Sequence, residues 1–236
     1  MTMTMTVKER EDGARHAGRR AAPWPGGRWT AVSGCVYVAA WVAGLLVAPS
    51  GPAVTAPASE VAAYYRAHGD AALLQTYLLD GVAGVALLVF AAAMHSALRR
   101  PEGAGAPLAT ILVGGGIAAA SVSLVQAALG TALCQQVAGR SAEMTQLLFT
   151  LFNDADTFKM GGLALLVAAG ATLAVRTRAL PRWLGWVGAV LALALIVGGW
   201  SFVLGNAGLY TVLSVALPLL LVWVAAISVV SWRRAA

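Results

Sequence analysis

The chain has 236 residues, of which 59% are hydrophobic and 11% charged, with a mean hydropathy of +0.76, a balance that excludes a water-soluble domain of this size. Its formal charge of +6 does not point to nucleic acid, because six of the sixteen basic residues lie in the first 28 positions and most of the others mark the ends of apolar runs. At roughly 20 residues per membrane crossing, the composition predicts an all-α, polytopic transmembrane helix bundle with no separate soluble domain.

Residues 1–28, opening MTMTMTVKEREDG and closing on Pro and Gly, are too polar to bury a core and are expected to form a disordered cytoplasmic tail. The transmembrane domain is placed at 29–234. Its first helix, about Thr30 to Ala48, lacks a small-residue cleavage site after a short apolar core and reads as a retained span. The loop from Pro49 to Asp70 is the longest. It contains SEVAAYYRAHGDAALLQ, where Val61, Tyr64, Tyr65 and His68 fall three and four apart, so a short amphipathic helix along the interface is expected, with Ser59 as its cap.

Five further spans are placed at about Ala71 to Leu98, Pro107 to Val137, Thr145 to Val175, Trp183 to Leu204 and Leu209 to Trp232, making six. Lys8, Arg10, Arg15, Arg19, Arg20, Arg28, Arg99, Arg100, Arg176, Arg178, Arg182, Arg233 and Arg234 fall on one side, and only Arg66 and Arg140 on the other. The positive-inside rule therefore puts both termini in the cytoplasm. Trp24, Trp29, Trp183, Trp186 and Trp232 fit headgroup anchors on that side. Counted outward from their arginines, the second, third and fourth spans overshoot the bilayer by about two turns, enough for a small extracytoplasmic cap. Gly114, Gly115, Gly116, Gly161 and Gly162 allow helices to approach closely, Pro218 is placed to kink the last helix, and Cys35 and Cys134 read as packing residues. The use of fourteen Arg against two Lys suggests a bacterial source, and hence the bacterial cytoplasmic membrane.

Charges inside apolar runs are the functional candidates, since each costs at least about 2.5 kcal/mol to insert. Asp80 lies in YLLDGVAG, and Asp154, Asp156 and Lys159 in LFNDADTFKMGG, all toward the outer leaflet. Asp156 and Lys159, three apart, can pair along one helix face, and Asn153, Asp156 and Thr157 share a stripe able to face Asp80, Gln126 or Gln135. Asp80, Asp156, Lys159, Asn153 and Gln126 are therefore the candidate ligand-binding residues of an outer-side polar pocket. A second reading stays open, in which the fourth span begins at Asn153 or Asp156 and the carboxylate is merely its N-cap.

Catalytic and metal-binding residues are not expected. No zinc-binding His-Glu-x-x-His, nucleophile Gly-x-Ser-x-Gly or phosphate-binding Gly-rich loop occurs. Asp80-Gly81 lacks the later aspartates of phosphatidyl-transferring enzymes, and Asp154 and Asp156 point to different sides of a helix. No cofactor is expected: His95 is the only histidine within an apolar run, which rules out paired haem ligation, and it is placed to reach headgroups or its own helix's last carbonyls.

The AAYYRAH of the first loop, Ala97-Leu98-Arg99-Arg100, LFNDADTF and Leu180-Pro181-Arg182-Trp183-Leu184-Gly185-Trp186 together span residues 30–234. In this combination the chain resembles uncharacterised actinobacterial six-helix integral membrane proteins grouped under a domain of unknown function. The resemblance implies the topology and supplies no catalytic residues. The expected function is non-enzymatic binding of a small or lipidic ligand, or of a partner, through the outer pocket; the alternative is a proton-coupled transporter using Asp80, Asp156 and Lys159 as a relay. The lipid bilayer is the expected partner, nucleic acid is not, and a homo-oligomer is left open.

Overall fold

The computed structural model describes residues 26–135 and 141–235. Residues 1–25 of the expected tail, with Trp24, as well as Arg140 and the far end of the third span at Val137, lie outside the described residues. The helices are α1 (Gly27–Val47), α2 (Ala58–Thr76), a π-helical turn (Tyr77–Val82), α3 (Ala83–Glu102), α4 (Pro107–Gln135), α5 (Ala142–Thr177), α6 (Arg182–Gly199), α7 (Ser201–Leu204) and α8 (Ala207–Ala235). No strand occurs among the described residues. Six stretches are long and apolar enough to cross a membrane: α1, the continuous Ala58–Glu102, α4, α5, Arg182–Leu204 and α8. The chain is thus an all-α six-span bundle, as its composition requires.

Each span packs against its neighbour in sequence, and α8 closes the ring against α1, an arrangement that short connections favour. The ring is filled by Phe90, Met94, Leu112, Leu163, Leu166, Leu191, Leu220 and Trp223, none more than 1% exposed. Its outer faces carry Leu46, Val85, Leu165, Val190, Leu193 and Val215, side chains that lipid tails solvate as well as a protein core would. Cys35 is also exposed, which corrects the expectation that both cysteines are packed inside. Trp29, Trp183, Trp186 and Trp232 are all more than half exposed at the arginine-rich end, the placement of headgroup anchors.

The tightest seam lies between α4 and α5. A Cβ on Gly115 would stand 2.7 Å from the Gly162 carbonyl oxygen, and one on Gly162 would stand 2.7 Å from the Ala119 nitrogen, whereas nothing lies within 4 Å at Gly114 or Gly161. At the arginine-rich end Glu102 receives the Leu108 and Ala109 N–H groups at 2.8 Å on its two oxygens, capping α4 from the preceding helix. His95 adds to the same corner: its Nδ1 lies 2.9 Å from the Ala109 carbonyl oxygen, so it ties the second span to the third and does not cap its own helix. Glu102→Ala should lower stability by about 1 kcal/mol, the usual loss of a helix cap, measured as a shift in unfolding in detergent micelles.

Several boundaries differ from their sequence-based positions. The second span begins at Ala58 and not near 71, because the amphipathic stretch is continuous with it. Its N-cap is Pro57, with Ser59 inside the helix. His68, at φ −127° and ψ 19°, kinks this helix. The segment before the kink packs on protein: Val61 is fully buried with Leu133 and Phe149, and the Tyr64 hydroxyl donates to the Pro49 carbonyl at 2.9 Å. That small cluster is the core of the expected cap. Its wall is α5, whose 36 residues make a rod of about 54 Å at 1.5 Å per residue, well beyond a hydrocarbon core of about 30 Å. α1 begins at Gly27, taking Arg28 into the helix, and α8 runs unbroken through Pro218.

Candidate functional site

Helix α5 begins at Ala142, capped by the Ser141 hydroxyl accepting from the Met144 N–H. Asp156 is therefore fourteen residues inside a continuous helix, and the reading of it as an N-cap is overturned. From there its carboxylate reaches Lys159 Nζ at 2.7 Å, one turn along the same face. The ammonium also bonds Asp80 Oδ1 of the second span at 3.0 Å. Side chains of Lys159, Asp80 and Asp156 are 8%, 5% and 17% exposed. Two carboxylates and one ammonium thus share an enclosed site with one formal negative charge in excess.

Asp80 points inward because of the π-helical turn. The Ala83 N–H bonds the Leu78 carbonyl five residues back, which inserts one residue into the register and rotates the next stretch of helix. Asp80 becomes 3% exposed while Tyr77, on the outer face of the same turn, is 48% exposed. Interruptions of this kind concentrate at functional sites. The fifth span is interrupted near the same level: α6 stops at Gly199, Trp200 separates it from α7, and the Thr157 hydroxyl donates to the Gly199 carbonyl at 2.9 Å. Gln75 donates to the Gly44 carbonyl at 3.1 Å and Gln126 to the Phe152 carbonyl at 2.9 Å. Polar bonds between spans are thus gathered around the triad, where they hold helices that lipid alone would not drive together.

Two neighbouring cavities lie there. An inner one of about 180 Å³ is lined by Asp80, Asp156 and Lys159 together with Trp41, Phe152 and Phe202 among others. An outer vestibule of about 700 Å³ is bounded by the loop Ser50–Thr55, by Asn153 and Ser201, and by Asn206 and Tyr210 at the start of the sixth span. Gln75 and Phe202 line both, so the vestibule borders the cavity that holds the triad.

Of the sequence-derived candidates, Asp80, Asp156 and Lys159 converge and Asn153 lines the vestibule. Gln126 does not join them. It is wholly buried between α4 and α5, lines neither cavity, and serves the helix contact to Phe152. Asp154 lines neither cavity, and Gln135 sits with His68, Asp70 and Cys134 in a separate depression. Trp41, Gln75, Ser201 and Phe202 were missed, because each looks like an ordinary apolar-span or interface residue until neighbouring helices are placed. No group of three or more His, Cys, Asp or Glu side chains suited to a metal occurs among the described residues.

Built from these elements, the protein belongs to the broad class of six-span helical membrane proteins with an enclosed ionic site under one end. No family model, curated protein or solved structure matches it.

Proposed function

We propose that the protein binds a small molecule in the vestibule and inner cavity, without catalysis, from the side of the membrane opposite its arginines. The observation that carries this reading is the buried Asp80–Lys159–Asp156 triad lining a cavity that shares Gln75 and Phe202 with the vestibule. A buried ionic group is costly in a bilayer and, with excess charge, is a poor device for stability alone. The arginine excess supports cytoplasmic termini and an outward-facing vestibule, in a bacterial cytoplasmic membrane. The Leu180–Trp186 turn supports the family resemblance, which carries no activity of its own.

Screening small polar and amphipathic compounds against the micelle-solubilised protein tests the reading. Ala53 is exposed on the vestibule rim, so Ala53→Trp should abolish the binding of true ligands while leaving the unfolding transition of the free protein unchanged. Ligands that bind equally well to Ala53→Trp contradict the reading.

The proton-coupled transporter is the second reading, favoured by the π-helical turn at Asp80 and the interruption at Trp200, since broken helices often flank transport sites. Transport also needs a path to the other side. Between triad and arginines the bundle is filled by Leu87, Phe90, Met94, Leu166, Val167 and Trp223, each at most 2% exposed, which supports binding over passage.

A further inference from the structure

The charge and wall chemistry of the inner cavity define the ligand more narrowly, an inference that rests on the binding reading above. We infer that the ligand is a small organic monocation, its ammonium group held at Asp156 within the wall of Trp41, Phe152 and Phe202, its remainder extending past Ser201 into the vestibule.

Charge decides the sign. Asp80, Asp156 and Lys159 are the only charged side chains lining either cavity among the described residues, and they carry one formal negative charge in excess. An anion would add to that excess, and a neutral molecule would displace water from it without compensation. Lys159 is bound to both carboxylates through Oδ1, and the described residues give neither carboxylate another hydrogen bond or ion pair. Asp156 is the more open of the two, which makes it the contact for an incoming cation.

Wall chemistry decides the type. Besides the triad the inner cavity offers only Gln75 and Thr76 as polar side chains, against Trp41, Leu79, Phe152, Met160, Phe202 and Leu217. A hard inorganic cation, which demands a shell of oxygen ligands, is poorly served. An alkylated ammonium is well served, because aromatic faces attract it while apolar walls accept its carbon surface. Ser201 supplies an independent sign of a ligand: it is 4% exposed, lines the vestibule, and among the described residues its hydroxyl has no hydrogen-bond partner. Turned toward the vestibule, this hydroxyl would meet a polar substituent beyond the ammonium.

The test is calorimetric titration of the full-length protein in maltoside micelles with tetramethylammonium, choline and butylammonium, using 3,3-dimethylbutan-1-ol as the neutral isostere of choline. The inference expects binding of at least one cation, weaker binding of the neutral isostere by about tenfold or more, and a similar loss in Asp156→Asn with recovery in Asp156→Glu. Phe202→Leu, which alters a wall and no ionic group, should weaken tetramethylammonium by about threefold. If the neutral isostere binds as tightly as choline, or only neutral compounds bind and Ala53→Trp removes them, the inference is overturned and the binding reading stands. If nothing binds that Ala53→Trp removes, both fall. Adding phosphatidylethanolamine to the micelles separates two sources of the same chemistry: competition with choline assigns the site to a lipid headgroup, and its absence assigns it to a free solute.

Discussion

Lys159→Met lowers the stability of the bundle by about 3–5 kcal/mol, the range for removing one partner from a buried ionic group. Methionine keeps the length and apolar stem of lysine, so little packing changes. The difference is that Asp80 and Asp156, held by the same ammonium at 3.0 and 2.7 Å, are left facing each other in an enclosed site. Like charges at such a distance cannot both persist in low dielectric. The triple variant Lys159→Met/Asp80→Asn/Asp156→Asn removes every ionic group and should recover more than half of the loss, since neutral isosteres avoid the desolvation that made the charges costly. Unfolding titrations in mixed micelles read both. A triple variant no more stable than the single one would show that the loss comes from packing around residue 159 and not from charge.

Adjacent glycines on α4 and α5 should respond to alanine with opposite signs. Gly115→Ala or Gly162→Ala puts a methyl 2.7 Å from backbone atoms of the opposing helix, and backbone cannot move aside as a side chain can. The seam must open, at a cost of about 1–3 kcal/mol typical of overpacking. Gly114→Ala and Gly161→Ala meet nothing within 4 Å and should stabilise by about 0.5–1 kcal/mol, because alanine loses less backbone entropy in a helix. The same unfolding titrations separate the two pairs, and equal effects at Gly161 and Gly162 would contradict the close approach.

The six spans were legible because hydropathy and arginine placement report directly on the bilayer, and the cap was legible as excess helix length. Sequence spacing also brought Asp156 to Lys159, since a helical turn is the same in any fold. It could not show that Asp156 lies mid-helix, because an aspartate near a plausible helix start reads equally well as a cap. Only the placement of Ser141 before a continuous helix decides that. The inward turn of Asp80 was hidden for another reason: a π-helical insertion has no side-chain signature and is stabilised by the contacts it makes possible. Helical spacing makes Gln126 a polar residue that the stripe of Asn153, Asp156 and Thr157 can face, whereas its depth between α4 and α5 depends on helix rotation, which hydropathy does not report. The walls of the site, Trp41 and Phe202, come from spans far apart in sequence, and their meeting depends on α8 closing the ring against α1.

The central claim is that the ionic triad lies under a cavity open to the outer aqueous phase. The direct measurement is thiol labelling of Gln75→Cys, at the junction of the two cavities, in a Cys35→Ala/Cys134→Ala background in right-side-out vesicles. A small membrane-impermeant methanethiosulfonate added outside should modify the residue, and bound choline should slow the reaction. Modification only from the arginine-rich side, or none on either side while the variant remains folded, would contradict the account.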